Sequence, residues 1–203
     1  MRPLIAIVLM CLCSVSYAER FSVEGNVIYY NEAEDFDGPA LNQDDADMLE
    51  DLLRQHTEVD TVNLNSTGGS VYAARNIAQV FIDFQVNTEV THECSSACAD
   101  AFLGGTNRVL GRGGRMGFHR SSWGADSIEE YYTENADYFG WASMYEMGSW
   151  IHEDAQKDIY ETLMFMLEQG VDPGFAVKTL KKESDDMWYP KRAELLQSRF
   201  ITE

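Results

Sequence analysis

Two consecutive segments of the chain each have the pattern of a short strand, a turn of small residues and an apolar helix. Residues 61–84 are TVNLNSTGGSVYAARNIAQVFIDF, and residues 85–105 are QVNTEVTHECSSACADAFLGG. A further predicted strand, RMGFH at residues 115–119, follows them. Strands that alternate with helices in this way pair in parallel and are covered by those helices. The sequence therefore predicts an α/β fold.

The first eighteen residues, MRPLIAIVLMCLCSVSYA, place one arginine before an apolar run and small residues after it. This pattern is typical of a cleaved secretory signal peptide, and the apolar run is too short to span a bilayer as a helix. We therefore expect a signal peptide over residues 1–18 and one domain over residues 19–203. The mature protein would be periplasmic or secreted, with no membrane insertion after cleavage.

The composition is strongly acidic, with 34 Asp and Glu against 15 Lys and Arg and a formal charge of −19. Loss of Arg2 with the signal peptide leaves −20. Such a charge repels the phosphates of nucleic acids and anionic lipids, so neither is expected as a partner. The chain also lacks the Gly-x-x-x-x-Gly-Lys-Ser/Thr pattern of a nucleotide-binding loop, which predicts an activity independent of ATP.

Cys94 and Cys98 are the two cysteines that remain after the signal peptide is removed. An isolated pair in an oxidising compartment most often forms a disulfide bond, and positions four apart in a helical turn, with Cα atoms about 6 Å apart, allow one. The alternative is a zinc site completed by His92 and by His119 or His152. This spacing is not a common zinc pattern, so we expect a disulfide bond and no metal or other cofactor.

Three predicted strand ends carry residues suited to acyl transfer. The Gly68-Gly69 turn would expose backbone N–H groups as an oxyanion hole, or it would simply make a tight turn. Ser95 or Ser96 would be a nucleophile at a helix start, favoured by the helix dipole, or a plain helix cap. His119 ends the third strand and would be the general base. Such turns meet at the carboxyl edge of an α/β sheet, which favours a catalytic site.

Four segments resemble the Clp protease proteolytic subunit. LNSTGGSVYAARNIAQVF is similar to its strand, Pro-Gly-Gly-Ser turn and helix, with Thr67 in place of proline. CSSACADAFLGG resembles its nucleophile segment, RVLGRGGRMGFHR its strand ending in the catalytic histidine, and WYPKRAELLQSRFIT its closing helix. The signal peptide and the Cys-x-Ser-Ala-Cys helix start resemble an exported group of Clp-protease-like proteins.

This resemblance implies an α/β Clp/crotonase-type spiral fold of repeated strand-helix units, with a long helix after the histidine strand. It also implies a serine hydrolase with His119 as base and Gly68 and Gly69 at the oxyanion hole. Its substrates would be peptides or unfolded proteins, and it would be a homo-oligomer. Counting from the preceding strand places the family's nucleophile on Ser96, whereas counting back from the helix places it on Cys98. A disulfide bond favours Ser96, and a reduced thiol would favour Cys98.

The acid of the Clp-like triad has no direct counterpart in this sequence. The aligned position falls on Lys182 or Glu183. Either Asp186, close by in sequence, or a neighbour orients His119 from a shifted backbone, or the triad is incomplete and the protein binds peptides without cutting them. The leading hypothesis is an exported serine hydrolase that cleaves peptide bonds. The first alternative is a catalytically silent domain that binds peptides or assembles with itself. The second is crotonase-type chemistry on acyl thioesters, with coenzyme A phosphates held by four arginines: Arg108, Arg112, Arg115 and Arg120.

Overall fold

The computed structural model describes residues 20–32 and 40–203. The predicted signal peptide, with Cys11 and Cys13, lies outside the described residues. Among the residues that are described, none of the helices combines the length and the apolar character needed to cross a membrane.

An antiparallel hairpin of β1 (Phe21–Glu24) and β2 (Val27–Asn31) forms around the turn at Gly25 and Asn26. Helix α1 (Gln43–Gln55) follows, and the Asn42 side chain accepts a hydrogen bond from the Asp44 N–H at its start. Asp45 contacts both Arg20 and the Tyr30 hydroxyl in a buried cluster. These contacts fix the hairpin to α1.

The central part of the chain forms the predicted crossover units. Its elements are β3 (Thr61–Asn65), α2 (Val71–Phe84), β4 (Asn87–Val90), β5 (Glu93–Ser95), α3 (Ala97–Phe102), β6 (Arg108–Leu110) and β7 (Arg115–Gly117). Strand β2 pairs in parallel with β3, β3 with β4, and β4 with β6, which gives a five-stranded sheet in the order β1-β2-β3-β4-β6. Strands β5 and β7 form a second, two-stranded parallel sheet.

Helices α2 and α3 pack together behind the sheets. The apolar stripe of α2 is buried, and all six residues of α3 are buried. The alanines of α3 allow close packing, and Gly104 just after it lies so near the backbone of Ala78 that an added Cβ would come within 2.3 Å of the carbonyl oxygen. The helix that follows Ser96 is therefore held firmly in the core.

The last third of the chain is helical. It contains α4 (Ala125–Phe139), α5 (Met144–Glu168), α6 (Pro173–Thr179) and α7 (Arg192–Gln197). Helix α4 has no buried residue. On α5, Met147 is buried as expected for a packing face, but Tyr145 is 91% exposed.

Arg108 fastens the carboxyl terminus to the sheet. Its guanidinium donates to the carbonyl oxygens of Gln169, Arg199 and Phe200, at 2.9–3.1 Å. Burial lowers the pKa of Arg108 from its usual value, and the three carbonyls supply the polar contacts that a buried cation requires.

Candidate active site

The turns after β3, β5 and β7 meet in the structure. Ser66, just after β3, forms a parallel bridge with Cys94 of β5. Strand β5 then pairs with β7, with Ser95 opposite Gly117. Because these strands run in parallel, the residues that follow each of them emerge at one edge. The Gly68-Gly69 turn, Ser96 and His119 are therefore neighbours.

Ser96 and His119 are joined by a hydrogen bond. The Ser96 Oγ atom lies 2.7 Å from His119 Nε2. Ser96 stands at the start of α3 but its side chain does not cap that helix, so its hydroxyl is free to contact the imidazole. The neighbouring Ser95 is directed elsewhere, since its hydroxyl donates to Glu93 at 2.7 Å. Of the two serines, the structure brings Ser96 to the histidine.

The backbone of Ser96 is in a conformation that residues other than glycine rarely adopt. Its φ is 56° and its ψ is −130°, while its N–H donates to the carbonyl of Gly117 at 2.9 Å. Strained backbone of this kind persists where surrounding contacts enforce it, and it occurs often at active sites. The sharp turn presents the hydroxyl beside the imidazole.

The other ring nitrogen of His119 contacts the main chain. Nδ1 lies 2.9 Å from the carbonyl oxygen of Ser184. A carbonyl oxygen only accepts hydrogen bonds, so Nδ1 must carry the proton of the neutral ring. This leaves Nε2 as an acceptor for the Ser96 hydroxyl hydrogen, which is the tautomer that a general base requires.

Asp186 does not orient His119, contrary to the prediction. Its carboxylate contacts Lys182 Nζ and accepts from the N–H of Met187 at 2.8 Å. The hydrogen bond from Lys182 lowers the pKa of this carboxyl group. Asp186 is kept from His119 by a turn in which its N–H donates to the Glu183 carbonyl. This turn places the Ser184 carbonyl, and no described carboxylate, against the imidazole ring.

A disulfide bond joins Cys94 of β5 to Cys98 of α3, with Cα atoms 5.2 Å apart. It brackets Ser96. With both sulfur atoms in this bond, neither cysteine offers a thiolate as nucleophile or as a zinc ligand. Among residues 20–32 and 40–203, no group of three or more His, Cys, Asp or Glu side chains is arranged to hold a metal ion.

The double-glycine turn packs directly against the turn that contains Ser96. Gly68 has a φ of 117°, and a Cβ atom added there would lie 2.7 Å from Ser96 Cβ. Its N–H donates to Ser66 Oγ at 3.0 Å and is therefore engaged. The Gly69 N–H has no acceptor among the described residues.

The Ala97 N–H is a second available donor, because Ala97 opens α3 and the first N–H groups of a helix have no carbonyl partner within it. Sequence reasoning named both glycines and missed Ala97. Its signal was its position directly after a nucleophile at a helix start, where such a residue commonly supplies an oxyanion donor.

A cavity of about 60 Å³ adjoins Ser96 and His119. Its apolar lining comes from Val71, Ala97, Phe118, Ile159, Met166 and Leu180. Asp100 also lines it and is only 8% exposed. Burial raises the pKa of Asp100 to about 7, although Arg75 opposes the shift. The sequence analysis missed Asp100, although a charged side chain inside an otherwise apolar segment could have indicated it.

The arginines proposed for coenzyme A phosphates have other contacts. Arg108 is buried against carbonyl groups. Arg115 donates to Glu93 at 2.9 Å and lies over the ring of Tyr189. Arg120 forms an ion pair with Glu183. These three side chains therefore serve separate parts of the surface and core.

The fold is similar to that of a solved structure, a mutant of ClpP1 from Listeria monocytogenes. The TM-score is 0.55, the sequence identity is 19%, and the likeness covers 80% of this chain and 85% of that one. No protein-family profile matches the sequence, and no curated protein matches it. At this identity the likeness shows the fold, so the predicted Clp/crotonase-type α/β fold is confirmed.

Proposed function

We propose that this chain, which has a Clp protease-like fold, is a serine hydrolase that cleaves peptide bonds with Ser96 as nucleophile and His119 as general base. The observation that carries the proposal is the 2.7 Å contact between Ser96 Oγ and His119 Nε2. Strained Ser96 backbone and two available N–H groups beside it support the same function.

In the first step, Nε2 of His119 takes the hydroxyl proton as Ser96 Oγ attacks the substrate carbonyl carbon. The negative charge that develops on the carbonyl oxygen is stabilised by the N–H groups of Gly69 and Ala97. The imidazolium then gives its proton to the leaving amine as the bond between carbon and nitrogen breaks. Water hydrolyses the resulting ester of Ser96, with His119 again acting as base.

The Ser184 carbonyl takes the place of the triad acid in this mechanism. It holds the imidazole in the required tautomer, which is the part of the acid's role that matters most when an aspartate is replaced. It carries a partial charge and stabilises the imidazolium less than a carboxylate would. We therefore expect slow turnover.

The proposed enzyme is the mature domain of residues 19–203, periplasmic or secreted and belonging to an exported Clp-protease-like group. Its substrates are peptides or unfolded proteins, it needs no ATP and no cofactor, and it binds neither nucleic acid nor the bilayer interior. The acidic composition and the signal-like N-terminal sequence support these assignments. Stimulation of the purified protein by ATP alone would contradict them.

Self-association is part of the proposal. Helices α4 and α5 expose large aromatic side chains, with Tyr138 84% and Tyr145 91% accessible, and such patches commonly mark interfaces. We expect sedimentation to give a homo-oligomer that the double substitution Tyr138→Glu/Tyr145→Glu dissociates. The exposed Tyr72→Glu on α2 is the matched control, and a monomeric wild-type protein would overturn this part.

The second candidate function is a catalytically silent domain that binds peptides or assembles with itself. The observation that favours it is that no carboxylate of the described residues contacts His119. Both candidates share one fold and one oligomeric arrangement, so they differ only in the reactivity of Ser96.

The deciding experiment is labelling of the mature protein with a fluorophosphonate, which reacts with activated serines. We expect labelling of the wild type and of the control Ser121→Ala, and loss of labelling in Ser96→Ala and His119→Ala. Circular dichroism establishes that each variant is folded. A folded wild-type protein that is never labelled would favour the silent domain, and a thiol probe with reductant would reveal a reactive Cys98.

A further inference from the structure

Asp100 lies one helical turn beyond the proposed nucleophile. Asp100 lies within α3, and Ser96 immediately precedes this helix. Both line the cavity beside His119. Every other residue of α3 is Ala, Cys or Phe, so Asp100 is the one carboxylate in a buried apolar helix.

The Asp100 carboxyl group makes no hydrogen bond with the described residues. The cation that influences it is Arg75 of α2. The Arg75 guanidinium is engaged with α5, where it donates to Asp158, Glu161 and Thr162 at 2.7–3.2 Å. His119 and Asp158 are the other titratable groups on the cavity wall. A carboxyl group that is 8% exposed therefore faces the cavity without a bonding partner, which is costly for the fold.

The shape and lining of the cavity suit one kind of substrate side chain. Its apolar walls match a methylene stem, and Asp100 adds a carboxyl group to this lining. Asp100 lies three residues after Ala97, the first residue of α3, which is about 4.5 Å along the helix axis. The four-carbon stem of lysine spans a distance of this size. The acidic surface would also concentrate cationic substrates near the site.

We propose that Asp100 is a specificity-determining residue that selects substrates with a lysine or arginine side chain on the acyl side of the cleaved bond. This inference rests on the proposed function. The cationic head would bind the ionised carboxylate while its stem packs between Val71, Phe118 and Ile159. A cation beside Asp100 favours its ionised form, so the preference is expected to increase between pH 6 and pH 8.

The test compares rates of inactivation by three peptidyl phosphonates whose acyl-side residue is lysine, arginine or norleucine. Norleucine has the same stem without the charge. We expect the lysine or arginine reagent to react about tenfold or more faster than norleucine with wild type, and within about twofold in Asp100→Asn. The exposed Asp126→Asn is the matched control and should keep the wild-type ratio. The faster of the two cationic reagents identifies the preferred head group.

The outcomes separate the two proposals. If the fluorophosphonate labels Ser96 while lysine, arginine and norleucine reagents react equally, the role of Asp100 is overturned and the serine hydrolase stands. If nothing labels the folded protein, the hydrolase is overturned. Calorimetric titration of Ser96→Ala with butylammonium and with butanol then decides on Asp100: preferential ammonium binding that Asp100→Asn abolishes supports its role, and equal binding overturns it.

Discussion

At the scale of single residues, Asp100 makes the stability of the fold depend on pH. Its pKa is about 7 in the folded chain against an ordinary 3.8, so between these values the folded state holds a proton that the unfolded state has lost. Stability therefore falls as pH rises through this interval. We expect Asp100→Asn to be more stable than wild type at pH 8, by on the order of a few kcal/mol, and equally stable near pH 4.

Urea unfolding at the two pH values measures this difference. Asp126→Asn, at an exposed site on α4, is the control and should follow the wild type at both. Equal stability of wild type and Asp100→Asn at pH 8 would show that the carboxyl group is already solvated or paired in solution.

The contact between His119 and the Ser184 carbonyl leads to a second residue-scale expectation. Asp186 contacts Lys182 and the N–H of Met187, so Asp186→Asn should leave the rate of fluorophosphonate labelling within about twofold of wild type. Loss of a true triad acid would lower this rate far more. Asp185→Asn is the matched control. A loss of a hundredfold or so in Asp186→Asn alone would mean that the carboxylate reaches the imidazole during the reaction.

At the scale of elements, the approach of the β3 turn to the start of α3 leaves no room for a side chain at Gly68. A Cβ atom there would lie 2.7 Å from Ser96 Cβ and 2.9 Å from the Ser95 carbonyl oxygen, and the φ of 117° is unfavourable for alanine. We expect Gly68→Ala to destabilise the protein by about 2 kcal/mol or more and to abolish labelling of Ser96. Thermal unfolding and the fluorophosphonate assay measure the two effects.

Gly148 supplies the matched control for this substitution. It lies on the exposed side of α5 with open space around its Cα, so Gly148→Ala should stabilise the helix by up to about 1 kcal/mol without changing labelling. A Gly68→Ala variant as stable and reactive as wild type would mean that the two turns separate in solution.

The elements that could be predicted from the sequence are those with a local pattern. The strand and helix of residues 61–84 follow from alternation and helical spacing. The predicted strand at residues 85–91 is β4, but β5 was missed, because a three-residue strand is defined by its partners Ser66 and β7. Because β5 was missed, counting from the preceding strand placed the family's nucleophile on Ser96, whereas counting back from the helix placed it on Cys98.

The site shows the same division. Side-chain types at strand ends predicted that Ser96, His119 and the glycines would meet. The Ser184 carbonyl was missed since every residue has a carbonyl and only the turn geometry aims this one at the ring. Asp186 was chosen by proximity in sequence, which does not fix the direction of a side chain.

At the scale of the whole molecule, Arg108 connects the sheet to the carboxyl-terminal segment. Replacing it with methionine keeps an unbranched side chain of similar length but removes the donors that the carbonyls of Gln169, Arg199 and Phe200 accept from. We expect Arg108→Met to lower the free energy of unfolding by about 3 kcal/mol or more, as measured in urea. The exposed Arg112→Met is the control. A small effect would indicate that water replaces the guanidinium.

The rate at which the disulfide bond between Cys94 and Cys98 is reduced reports on motion at the candidate site. Both residues are 0% exposed, so a reductant in solution reaches the sulfur atoms only when the segment of β5 and α3 opens away from the elements packed on it. The speed at which the thiols appear then counts openings of the segment that contains Ser96. A ligand that occupies the neighbouring cavity slows the reduction of the disulfide bond. Binding at the site can therefore be measured from the chemistry of two sulfur atoms that do not line the cavity.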